Sequence, residues 1–101
     1  MNEYLITFSA ASLDPLAANL AERFRRVLES TPGIGSVEGA GEDRATRRVS
    51  GAFTIQVRMG IAAAARDGSR LAKEALNVVG LPDAQLVELA LVLRESPAEP
   101  S

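Results

Sequence analysis

Two periods of apolar residues organise this chain. Residues 3–9, EYLITFS, place Tyr4, Ile6 and Phe8 on one side and Leu5, Thr7 and Ser9 on the other, the two-residue repeat of a half-buried strand. The next apolar positions, Leu16, Leu20, Phe24, Val27 and Leu28, recur at helical spacing and form one stripe. Asp14 followed by Pro15 has the form of a helix start, a side-chain acceptor at the cap and a fixed φ behind it. Thr31-Pro32-Gly33 is a stop, so the spacing predicts a helix over about 15–30.

The short, glycine-rich IGSVEG at 34–39 predicts an edge strand. VSGAFTIQVRM at 49–59 carries the longest alternation in the chain. Val49, Phe53, Val57 and Met59 share one face, and Ser50, Ala52, Thr54, Gln56 and Arg58 share the other. IAAAARDGSRLAKEALNVVGLP is helical at least in its second half, with Leu71, Ala75, Val78 and Val79 on the apolar stripe and Gly80 and Pro82 as the stop. Its start is open between Ala62–Ala65 and a turn at Asp67-Gly68, with Asp67 or Ser69 as cap. In AQLVELALVLRE at 84–95, Val87, Leu89, Leu91 and Leu93 face one way and Leu86, Glu88, Ala90 and Val92 the other.

The order β-α-β-β-α-β predicts an α+β, ferredoxin-like sandwich: a four-stranded antiparallel sheet with two helices on one face. Right-handed crossovers set the strand order 4-1-3-2. A single domain over 1–95 is expected, with 96–101 as a flexible C-terminal tail.

Composition narrows the chemistry. The 101 residues contain no cysteine and no histidine. Disulfides, His/Cys zinc sites and Ser-His or Cys-His nucleophiles therefore cannot be built. The acidic residues follow no calcium-loop spacing, and no motif calls for a cofactor. No apolar run spans a membrane and the N-terminus lacks a basic leader, which gives a cytoplasmic expectation. Net charge is −2, a poor footprint for nucleic acid. Ten arginines against one lysine, with 17 alanines, read as the mark of a GC-rich genome.

GAGEDRATRRVSG at 39–51 gathers Arg44, Arg47 and Arg48. Three guanidiniums could grip an anion by forked hydrogen bonds. Glu42 and Asp43 offset two of the charges, however, and the glycines lead into no helix N-terminus, so a solvated inter-strand loop is the plainer reading. Arg47-Arg48-Val49-Ser50 also has the short form of a basophilic kinase site. Among proteins of this topology, acylphosphatases need an arginine after the first strand, where this chain has SAASLDP. RNA-recognition domains need exposed aromatics, whereas Phe53 falls on the core side. Amino-acid-binding (ACT-like) modules use a glycine turn after the first strand that is missing here.

From the third strand onward, FTIQV … GSRLAKEALNVVGLPDAQLVELALV resembles small actinobacterial ferredoxin-like domains that occur alone or ahead of helix-turn-helix segments in regulators. The resemblance lies in the alternating strand, the alanine-rich helix and the Gly80-Leu81-Pro82 turn; it implies a fold and a regulatory setting, and no catalytic residue. The resulting expectation is a non-catalytic interaction or regulatory domain, encoded by an actinobacterium or its phage, with an ACT-like ligand sensor as the alternative. Its partner would be a protein met through the open sheet face, a second copy above all. On the first and third strands that face offers Leu5, Thr7, Ala52, Thr54, Gln56 and Arg58; on the last it offers Leu86, Glu88, Ala90 and Val92.

Overall fold

The computed structural model describes residues 2–95; the expected tail at 96–101 lies outside them. The elements are β1 (Asn2–Ala11), α1 (Leu20–Ser30), β2 (Val37–Asp43), β3 (Arg48–Val57), α2 (Ile61–Val78) and β4 (Gln85–Glu95). All strand pairs are antiparallel and the sheet order is β2-β3-β1-β4, the expected 4-1-3-2 read from the other edge. The fold is the ferredoxin-like sandwich that the alternation predicts.

Both helices cover one face. Tyr4, Ile6, Phe8 and Ala10 of β1 and Val49, Phe53, Ile55 and Val57 of β3 are buried there beneath Leu20, Phe24 and Leu28 of α1 and Leu71, Ala72, Ala75 and Leu76 of α2. Phe8 is the hub. Its ring meets Phe24 edge-on at 5.8 Å and Phe53 at 5.9 Å, in the edge-to-face arrangement that aromatic quadrupoles favour. The strand register sets Phe8 opposite Gly51. A Cβ at Gly51 would sit 2.8 Å from the Phe8 ring, so only glycine admits the ring at that height. Gly68 plays the same part for α2: a Cβ there would press on the Ile6 side chain at 3.1 Å.

Several expectations are corrected. Helix α1 starts at Leu20, with Asn19 left-handed at φ 57°, rather than behind Pro15; the cause lies in contacts from the β2–β3 turn. Asp67-Gly68 is no turn, because α2 runs unbroken from Ile61 and Gly68 is buried within it. Val78 is 72% exposed and Val79 buried, so the α2 stripe runs through Ala75, Leu76 and Val79. The helix ends with Gly80 at φ 102° and a hydrogen bond from Leu81 N–H to Leu76 O, the glycine stop that the sequence predicts. Strand β2 lies at 37–43 and not 34–39, so Gly39-Ala40-Gly41 is strand rather than loop. Strand β3 stops at Val57, which leaves Met59 67% exposed beyond it.

Phe24 is fully buried and joins α1 to the hub. Phe24→Ala should cost about 3–5 kcal/mol by lost transfer energy and cavity formation, a large part of the roughly 5–15 kcal/mol available to a small domain. Urea unfolding followed by circular dichroism checks this, and a midpoint within error of wild type would contradict the packing described.

Candidate functional site

The strand registers arrange the face opposite the helices in rows. One row runs Gly41, Ser50, Ser9, Glu88; the next runs Gly39, Ala52, Thr7, Ala90; a third holds Thr54, Leu5 and Val92. Because alternate residues of a strand share a face, these side chains stand on the open side. The first two rows consist of glycine, alanine and short hydroxyl residues, with Glu88 as the exception. So little side chain leaves hollows. Thr7, Phe8, Ser9, Ser50, Glu88, Leu89 and Ala90 line a depression of about 410 Å³. A second, of about 390 Å³, runs over Gly39, Gly41 and Ala52 and shares Thr7, Phe8 and Ser50 with the first. The two make one trough across all four strands, within the size range of small-molecule sites. Glu88 is the ionisable side chain in its lining.

Of the residues expected on this face, Thr7, Ala52, Glu88 and Ala90 line the trough. Leu5 is half-buried, Val92 is 56% exposed, and Gln56 is exposed one row beyond them. Arg58 lies past the end of β3 and is exposed. Two placements are corrected. Thr54 is only 3% exposed, because the segment before β2 crosses over it. Gly35 N–H donates to Thr54 O and Thr54 N–H to Ser36 O, while Ser36 N–H donates to the Thr54 hydroxyl at 2.9 Å. Leu86 packs against the core on the helix side. A bulge between the Ser9–Glu88 and Ala10–Leu86 pairs inserts Val87 and reverses the alternation from there back. Ser9 and Ser50 were legible as outward positions, but their meeting in one row depends on register.

The arginine turn has a structural role. Strands β2 and β3 are joined by residues 44–47. Asp43 Oδ1 accepts the amides of Ala45 and Thr46, the second a longer contact, and Arg47 is left-handed at φ 56°. Arg44 donates to Leu16 O at 2.9 Å and to Ala17 O at 3.0 Å, and Arg47 donates to Leu13 O at 2.8 Å. Glu42 pairs with Arg44 at 2.9 Å, and its other oxygen accepts the Ala21 amide at 2.9 Å. In a continuous helix the Ala21 amide would bond to Ala17 O. Here Arg44 takes the carbonyl and Glu42 takes the amide, which holds residues 13–19 out of α1. The plainer reading of a merely solvated loop is thus corrected for Arg44 and Arg47. Arg48 is exposed on β3 and makes no ion pair among the described residues. Strand β3 is hydrogen-bonded on both sides, which removes Ser50 from the reach of any kinase that needs a free extended segment.

The described residues hold no cluster of three or more His, Cys, Asp or Glu suited to a metal. No described helix is long and apolar enough to cross a membrane.

No protein-family model matches the sequence, and no curated protein matches it. Among solved structures, a chain from Chloroflexus aurantiacus J-10-fl described as a "putative Antibiotic biosynthesis monooxygenase" is similar in fold, with a TM-score of 0.49 over 96% of this chain and 97% of that one, at 11% identity. This comparison overturns the expectation of a non-catalytic interaction domain, together with its sensor alternative. At this identity the likeness assigns no reaction here.

Arg44→Ala should lower stability by about 1–2 kcal/mol, the reduced value of charge-assisted hydrogen bonds at a half-exposed site. Arg48→Ala should stay within about 0.5 kcal/mol of wild type. Urea midpoints of the two variants, measured side by side, check the contrast; equal values would show that the turn carries no such bonds.

Proposed function

We propose that this chain acts on a small organic molecule held in the trough of the open sheet face, with Glu88 as the group that accepts a proton from it. The observation that supports this is the row Ser50, Ser9, Glu88: two hydroxyls and a carboxylate at one level of three adjacent strands, facing a depression of about 410 Å³. The hydroxyls can donate to or accept from a bound polar group. A carboxylate that accepts a hydrogen bond from a weakly acidic hydroxyl is placed to take its proton when the group reacts. With no histidine or cysteine in the chain, a carboxylate is the general base this face can offer. Thr7, Ala52 and Ala90 in the next row supply a flat, nearly apolar floor for the rest of the molecule. The substrate class that fits is a flat, neutral compound carrying one acidic hydroxyl.

A simple phenol such as 4-methylphenol serves as the probe. Titrated into the protein, it should shift the amide resonances of Thr7, Ser9 and Ser50 saturably. Glu88→Gln should weaken that binding about tenfold, the loss of one charge-assisted hydrogen bond, with an unchanged urea midpoint. If no trough resonance moves, or if Glu88→Gln binds as tightly as wild type, the assignment fails.

A further inference from the structure

The trough ends toward the Thr54-Leu5-Val92 row, and irregularities in the two outer strands account for that end. The pairing of β2 with β3 slips between Val37 and Gly39, and that of β4 with β1 slips between the Tyr4–Leu93 and Glu3–Glu95 pairs. Each slip leaves one residue unpaired in the register, Glu38 on β2 and Arg94 on β4, and a bulge re-aims the side chain it carries. These two side chains meet. Arg94 Nη1 donates to Glu38 Oε2 at 3.0 Å, although β3 and β1 lie between their strands. The outer strands of a flat four-stranded sheet stand about 14 Å apart, so the sheet curls toward its open side where the pair closes. By register Glu38 lies level with the step from Phe53 to Ala52, and Arg94 with the step from Glu3 to Tyr4. The line between them therefore crosses over Thr54 and Leu5. Ser36 fastens one end of this strap: its hydroxyl donates to Glu38 Oε2 at 3.4 Å and lies 3.1 Å from the Thr54 hydroxyl. On the far side is a separate hollow of about 470 Å³, with Glu3, Ser36, Thr54 and Gln56 in its lining.

We propose that the Glu38–Arg94 pair sets the length of molecule the trough accepts: closed, it admits a single ring, and a longer molecule enters only by parting it. This rests on the reading of the trough as the working surface. A phenol whose hydroxyl meets Glu88 lies with its ring over the Thr7 row, because two residues of strand, about 6.6 Å, match the length of one ring. Its para position then points at the strap. A small para group stops short of the ion pair. A second ring in that position has to lie where the pair crosses, on Leu5, and reaches the hollow beyond. The side chains of Arg94 and Glu38 keep 44% and 37% of their exposure, and an ion pair so open to water is weak. It is therefore a bar that parts at small cost and not a fixed wall. Long molecules are held more weakly rather than refused, and the difference between long and short ones is the free energy of one exposed pair. Glu38 and Arg94 touch neither the base nor the hydroxyl row, so they determine specificity and leave the chemistry at Glu88 alone.

Amide spectra of the full chain, titrated with 4-methylphenol and with 4-phenylphenol, test this. Glu38→Ala and Arg94→Ala should each tighten 4-phenylphenol about fivefold, the ratio that one exposed ion pair can supply. The double variant should add nothing further, since all three remove the same contact. 4-Methylphenol should bind every variant as it binds wild type, and the amides of Gly35 and Gln56 should respond to the longer probe alone. A second readout needs no phenol. The chain has no cysteine, so one introduced thiol reports on the strap directly. Leu5→Cys should react with a disulfide reagent about fivefold faster once Glu38→Ala is added, while Thr7→Cys, clear of the strap, should keep its rate. Equal affinities of 4-phenylphenol for wild type and the two single variants overturn the assignment, as do equal thiol rates at Leu5→Cys with and without Glu38→Ala. The two readings fail separately. If neither phenol moves a trough resonance, the chemistry assigned to Glu88 fails and the thiol rates decide on the strap; if 4-methylphenol binds and the strap variants change nothing, the strap alone fails.

Discussion

The seating of Phe8 on Gly51 is the contact from which the rest of this structure is placed. An aromatic ring in the middle of a central strand has to lie down on something, and the residue across from it has no Cβ. The ring therefore sits low against β3, and its edges become the surfaces on which Phe24 and Phe53 rest. The height of α1 above the sheet follows from this, as the low seat of Ile6 beneath Gly68 fixes that of α2. Two glycines thus set the thickness of the layer, and the small alanines of α2 are what a helix at that height can accommodate. Close-packed interiors leave little slack for anything larger.

The opposite face bears the other consequence of a glycine-rich sheet. A strand alternates, so glycine and alanine placed to let helices and rings approach on one side sit beside outward positions that could have been large. In the two rows around Thr7 and Ser9 they are small instead, and the sheet keeps its hollows uncovered. Monomeric antiparallel sheets ordinarily line a wet face with long charged side chains. Here the rows around Thr7 and Ser9 hold Glu88 as their ionisable side chain and are otherwise small.

Much of this was legible in the residues. The order of elements, the core sides of β1 and β3 and the glycine stop of α2 all follow from period and turn chemistry, because each is decided by neighbours in sequence. The errors share a different cause. Asp14-Pro15 is a sound local helix start, but Arg44 and Glu42, about 25 residues away, take the carbonyl and the amide that a longer helix would have joined. Alternation along β4 is sound until the bulge at Val87 turns Leu86 to the other side. Thr54 points outward as expected and is still buried, because a segment from before β2 folds across it. In each case a partner distant in sequence overrode a local preference that was itself correct, which is why propensity is a weak prior at element ends.

The same limit governs what could be seen of the site. Composition alone removes histidine and cysteine from the side chains with which this chain could act. What it left unspecified was which carboxylate could act. Thirteen acidic residues are spread through the chain, and many of them serve the fold locally. Glu22, Glu29 and Glu74 pair with arginines one helical turn away, Glu38 pairs with Arg94, and Glu42 holds the start of α1. Asp43 closes the β2–β3 turn. Glu88 serves no such purpose, since it makes no ion pair among the described residues and faces a hollow beside two hydroxyls. A carboxylate in a row of glycine and serine, with no ion pair among the described residues, gains nothing for the packing of its own chain. Its place is better explained by the molecule it meets than by the fold that carries it.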